Sequence, residues 1–178
     1  MRRFLLSNAQ VFQRLDTLEL KQLKTDKKID KVLNAIESKE IQPKQGIFFD
    51  GQVFDAYQFV SDLIRTAGKS IILIDNYIDD TVLTLFSKRK KGVSLNILTR
   101  TVSKQMELDV RKYNEQFPKT EVKEFANSHD RFLIIDESTV YHLGASLKDL
   151  GKKWFAFSKM ELGAARMLAR LEAVKWRV

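Results

Sequence analysis

The stretch "SHDRFLIID", Ser128 to Asp136, joins a histidine and an arginine to an unbroken apolar run. Phe132, Leu133, Ile134 and Ile135 predict a strand covered on both faces, as in the interior of a layered sheet. On a strand, side chains two apart share a face. His129, Arg131, Leu133 and Ile135 therefore point one way, and Asp130, Phe132, Ile134 and Asp136 the other. A His-x-Arg pair at the mouth of such a strand is a compact donor set. Arginine offers a planar fork that matches phosphate oxygens, and imidazole titrates and attacks near neutral pH. The same two residues also suit a loop-capping histidine and an arginine paired to a carboxylate at the sheet rim.

Working outward, the chain around this strand alternates strand and helix. "SIILIDNY" and "VSLNILTR" are further buried strands, and "EVKEFA", "TVYHLGAS" and "WFAFSKM" read as strands too. "AYQFVSDLIRTAG" is an amphipathic helix closed by Gly68. "DDTVLTLFSKRKKG" is a helix with basic residues in its last turn and Gly92 as its stop. "SKQMELDVRKYNEQF" is a helix ended before Pro118, and "ELGAARMLARLEAVKW" is a final helix. "GIFFDGQVFD" fits either a short hairpin or an extended lead-in with an Asp50-Gly51 turn. Together these predict an α/β domain over residues 46–178, with a mixed central sheet because the last strands follow short turns.

Residues 1–40 contain neither glycine nor proline. Phe4, Asn8, Val11, Leu15, Leu18, Gln22, Thr25, Ile29, Val32 and Ile36 recur at alternating steps of four and three, the seam of a coiled coil. Residues 1–42 are thus expected to be a helical linker that associates with a second copy. Leu20, Leu23 and Leu33 widen the apolar face, so a single amphipathic helix is the competing reading. Pro43 and Gly46 end the segment.

The balance of 31 Lys+Arg against 23 Asp+Glu, a net +8, favours an anionic partner, with nucleic acid ahead of a membrane surface. Lys88, Arg89, Lys90 and Lys91 fit a solvated helix end, or a patch that tracks phosphates. The chain has no cysteine, which excludes disulfides and thiolate chemistry. No apolar run approaches a membrane span, and the default location is the cytosol. In "DNYIDD", Asp75, Asp79 and Asp80 hint at a cation site, although Asp79 or Asp80 as a helix N-cap is the favoured reading. His142 reads as a half-buried hydrogen-bonding residue.

His129-x-Arg131-x4-Asp136, followed by "LGASLKD", resembles the His-x-Lys-x4-Asp…Gly-Ser-x-Asn signature of the phospholipase D superfamily. The upstream "IILIDNYIDDTVLTLFSKRKKGVSLNILTR" is similar to the first half of such domains. The resemblance spans roughly residues 46–160. It implies that His129 matches a nucleophile forming a phosphohistidine without metal or other cofactor, that Arg131 stands for the phosphate-binding lysine, and that Asp136 matches the motif's aspartate. Ser146 matches the serine, with one extra residue in the turn, and Lys148 lies where asparagine is expected. Two signatures face each other in the superfamily, so one signature per chain implies a two-fold homodimer. Arginine replaces lysine, and "FAFSKM" holds no carboxylate before Glu161 to orient the histidine. Those departures favour a phosphate- or nucleic-acid-binding module over an active, metal-independent nuclease. The start, "RRFLLSNAQVFQRLDTLELKQL", resembles the linker of bacterial proteins related to phage KilA-type regulators, which would make the chain part of a longer DNA-binding protein.

Overall fold

The computed structural model describes residues 8–38, 43–160 and 163–173. The chain forms two compact units, Met1–Gln42 and Pro43–Val178. Among its described residues the first holds a single helix, α1 (Asn8–Ser38). Along it Val11, Leu15, Leu18 and Ile29 of the sequence seam are exposed, as are Leu20 and Leu23. Phe4 and the side chains of Val32, Leu33 and Ile36 lie outside the described residues.

The second unit carries a seven-stranded mixed sheet in the order β1-β7-β6-β5-β2-β3-β4. The strands are β1 (Gln45–Phe48), β2 (Ser70–Ile74), β3 (Ser94–Thr99), β4 (Thr120–Glu124), β5 (Arg131–Ile135), β6 (Thr139–Leu143) and β7 (Phe155–Met160). β2 runs parallel to β3, and β3 to β4, while every pairing from β2 towards β1 is antiparallel. The strands expected to be buried are neighbours at the centre: β5 and β3 flank β2.

Each face of the sheet is covered differently. Ile71, Leu73, Leu95, Ile97, Leu133 and Leu143 belong to the larger core, with α2 (Val53–Thr66), α3 (Asp80–Phe86) and α4 (Lys104–Gln116). Ile72, Ile74, Leu98, Ile134 and Val140 form a smaller core with Leu171 of α5 (Ala164–Ala173). Fully burying an isoleucine or leucine contributes about 1.5–3 kcal/mol, so this double cover makes the central strands the most costly part of the domain to open.

Several local expectations change. "GIFFDGQVFD" is no hairpin: β1 pairs antiparallel with β7, and α2 starts at Val53 after the Asp50-Gly51 turn. α3 is shorter than its sequence pattern and carries no basic residue in its last turn. The Ser87 hydroxyl donates to the Thr84 carbonyl at 2.7 Å, and the Arg89 guanidinium takes the carbonyls of Phe86 and Val93. Those carbonyl contacts close the helix before the lysines. At its start, Asp79 accepts from the Thr81 backbone N–H at 3.1 Å, the expected N-cap.

Candidate functional site

The C-terminal end of β2, the N-terminal end of β5 and the C-terminal end of β6 lie side by side, because β5 is antiparallel to both its neighbours. That places "DNY" (Asp75–Tyr77), His129-Asp130-Arg131 and Gly144–Lys148 at one end of the sheet. His129 is exposed and Arg131 is half-buried. The Arg131 guanidinium stands over the Tyr77 ring, 5.7 Å from its centre. Its Nε is buried and has no hydrogen-bond partner among the described residues. An unpaired buried donor costs about 1–3 kcal/mol, more when charged, unless an acceptor arrives.

Beneath it lies Asp75, fully buried. Its carboxylate accepts from the Tyr77 N–H at 3.0 Å, the Leu147 N–H at 2.8 Å and the Ser146 hydroxyl at 2.8 Å. Desolvation pushes the Asp75 pKa above the ordinary carboxylate value, against the opposing pull of those donors and of the Arg131 charge. Asn76 donates its amide to the Ser128 carbonyl, which ties the loop before His129 to the end of β2. The end of β2 thus positions both halves of the candidate site.

Ser146 departs from its expected role. It is buried, and its hydroxyl is held between Asp75 and the Tyr77 carbonyl, the latter at 2.6 Å. A hydroxyl has one hydrogen to give, so it is shared between these two acceptors. Those two contacts tie the end of β6 to the end of β2. Lys148 is half-buried in the short 3-10 turn Leu147–Asp149 that follows.

Asp136 also lies elsewhere. It sits at the opposite end of β5 from His129, roughly 20 Å along the strand at about 3.3 Å per residue. There its carboxylate accepts from the backbone N–H groups of Gly68, Lys69 and Ser70 at 2.7–3.1 Å. Asp136 and Glu137 both adopt positive φ, 52° and 56°, in the β5–β6 turn. The aspartate therefore fastens this turn to the start of β2, at the far end of β5 from His129.

The basic run divides likewise. Arg89 is buried, and its guanidinium donates to the Tyr113 hydroxyl at 2.9 Å, to Thr120 Oγ1 at 3.0 Å and to the Pro118 carbonyl. It is a cross-link inside the domain, which leaves Lys88, Lys90 and Lys91 on the surface. His142 faces away from Arg131, beside Phe132 and 3.6 Å from Asp130. The cation reading of Asp75, Asp79 and Asp80 fails, because Asp75 is turned into its hydrogen bonds and Asp79 into its cap. No group of three His, Asp or Glu suited to a metal occurs among the described residues. Glu161 lies outside them.

Sequence reasoning passed over Asp75, Asn76 and Tyr77 as members of the site. Their signal was an acid, an amide and a tyrosine directly after four buried aliphatics.

No family model matches the sequence, and no curated protein matches it either. Solved structures do. NUC from Salmonella typhimurium, a phospholipase D family member, is 17% identical with a TM-score of 0.53, over 72% of this chain and 91% of that one. NucT from Helicobacter pylori is 17% identical with a TM-score of 0.51, over 74% and 94%. TrmBL2, an archaeal chromatin protein with a novel mode of DNA binding, is 16% identical with a TM-score of 0.51 over 95% of this chain. This chain spans 66% of the chromatin protein's length. The likeness is one of fold, and the fold is phospholipase D-like.

Proposed function

We propose that the chain is a dimeric, phospholipase D-like module that binds the phosphates of nucleic acid, with its phosphodiesterase chemistry vestigial. The observation that carries this reading is Arg131, a half-buried guanidinium whose desolvated Nε–H has no protein acceptor among the described residues. A phosphate oxygen supplies that acceptor and the matching charge. Exposed His129 lies in the bend that leads into β5, two residues before Arg131, and Lys148 adds a cation after the neighbouring strand end. The net charge of +8 and the fold shared with a DNA-binding chromatin protein and with NUC and NucT support nucleic acid as the source of the phosphate. Two copies related by a two-fold axis would bring two His-x-Arg pairs to one cleft. The resemblance of the N-terminal helix to a regulator linker fits a place within a longer DNA-binding protein.

The second reading, a metal-independent nuclease, is favoured by the exposure of His129 beside Arg131. An imidazole nitrogen would attack phosphorus and form a phosphohistidine while the ester oxygen leaves. The histidine of the second copy would protonate that oxygen, and water would then release the phosphate. No hydrogen bond orients the His129 ring among the described residues, so binding is preferred.

The deciding experiment incubates labelled single- and double-stranded DNA with the protein in excess chelator. The expected result is binding without cleavage, weakened roughly ten- to a hundredfold in Arg131→Ala. Cleavage that survives the chelator and disappears in His129→Ala establishes the nuclease. Unchanged binding in Arg131→Ala removes both readings.

A further inference from the structure

A second feature shares the sheet end with Arg131. β1 and β7 are antiparallel, with Phe48 opposite Phe155, so the residues after β1 and before β7 meet there. Phe49 and Trp154 stand edge to face with ring centres 4.8 Å apart, and the Trp154 indole N–H donates to Asp50. The supporting loops are locked together: the Gly51 N–H donates to the Gly151 carbonyl at 3.1 Å. Gly151 lies so close to the backbone of Gln52 and Val53 that an added Cβ would meet it at 2.5 Å. Yet Trp154 remains 68% exposed and Phe49 45% exposed. A fixed aromatic pair with an open face gains little from core packing.

Cations lie beside this pair, although Asp50 accepts from the Trp154 indole. Lys152 and Lys153 immediately precede Trp154 and are exposed, and Lys148 leads back along the same loop to Ser146 and the Arg131 site. Acidic Asp149 is neutralised by Lys152 at 2.8 Å. β7 is two strands from β5, and Phe157 is the β7 residue level with Arg131, so Trp154, three residues further along, begins roughly 14 Å from Arg131 at about 4.8 Å per strand and 3.3 Å per residue.

We infer that Phe49 and Trp154 form a base-stacking subsite for single-stranded nucleic acid, whose backbone runs along Lys153 and Lys148 towards Arg131. Aromatic faces interleaved with cations suit a strand whose bases are free, whereas duplex bases are already stacked on both faces. The inference rests on the phosphate-binding reading of Arg131 and specifies which nucleic acid occupies it.

The test uses the full chain and fluorescein-labelled oligothymidylate, read by anisotropy, with a duplex of equal length for comparison. Wild-type protein is expected to prefer the single strand, and its tryptophan fluorescence to be quenched on binding. Trp154→Ala should weaken single-strand binding roughly five- to a hundredfold and erase the preference, while Trp154→Tyr retains most of it. The share of the quenching that Trp154 contributes should vanish in Trp154→Phe, which leaves Trp176 as the chain's one tryptophan. If Trp154→Ala binds the single strand as wild type does while Arg131→Ala does not, the subsite is refuted and the phosphate site stands. If only Trp154→Ala loses binding, the subsite stands and the role of Arg131 falls. If Trp154→Ala instead lowers the sedimenting mass of the protein, the surface belongs to a second copy and the inference is overturned.

Discussion

The Ser146 hydroxyl lies 2.8 Å from the buried carboxylate of Asp75, joining the ends of β6 and β2 across 71 residues of sequence. The link braces the site from beneath. Ser146→Ala should cost about 1 kcal/mol of stability, the usual net value of a hydrogen bond, while Asp75 keeps its two backbone donors. Asp75→Asn should cost more, because an amide NH2 must face either the Tyr77 or the Leu147 N–H. Urea unfolding of both variants reads this directly. Loss of DNA binding in Ser146→Ala without loss of stability would show the hydroxyl to be a ligand-binding group.

Arg89 joins the end of α3 to Tyr113 of α4 and Thr120 of β4. Arg89→Ala should destabilise the domain by about 3 kcal/mol, since it strips partners from several buried polar groups. Arg89→Lys should recover only part, because an ammonium cannot span the planar fork. Substituting the exposed Lys88, Lys90 and Lys91 instead should leave stability within about 0.5 kcal/mol. Thermal melts separate the two behaviours.

Asp136 and Asp75 titrate in opposite senses. Partial burial of Asp136 is outweighed by the backbone donors of Ser70, Gly68 and Lys69, so its folded pKa falls below the ordinary value. Its contribution is full above the unfolded value of about 3.9 and is lost as pH falls through the folded value. Asp75, raised by desolvation, acts in reverse, and its contribution declines as pH rises from about 3.9 through its folded value. The stability gap between wild type and Asp136→Ala should therefore narrow on acidification below about pH 4. A gap independent of pH would contradict the role assigned to the three backbone N–H groups.

The strands at the sheet centre were legible because β2 and β5 carry unbroken apolar runs and β3 one broken only by Asn96, and such runs need cover on both faces. Arg131 opens β5 where the apolar run placed the strand, whereas His129 falls in the bend before it, outside the strand periodicity. What escaped were contacts between residues far apart in sequence. Nothing local in "SKRKKG" distinguishes Arg89 from its lysine neighbours, since its burial depends on Tyr113 and Thr120. Ser146 looked like a free donor because its acceptor, Asp75, belongs to another strand. β1 could not be assigned a partner, as β7 lies more than a hundred residues later in the chain.

Assembly gives an independent check. If α1 forms the seam between two copies, Leu15→Asp with Leu18→Asp should lower the sedimenting mass at micromolar concentration and leave the α/β domain folded. A wild-type chain that sediments as a monomer would remove both the coiled coil and the shared cleft.

The central claim is that Arg131 holds a phosphate, and its Nε–H reports on that directly. In a nitrogen–proton NMR spectrum of the arginine side chains, this resonance can be assigned by its loss in Arg131→Lys. Dimethyl phosphate, a minimal phosphodiester, should shift it saturably and slow its exchange with water, as its missing acceptor arrives. A resonance that stays in place while the oligonucleotide binds elsewhere on the protein would contradict the account.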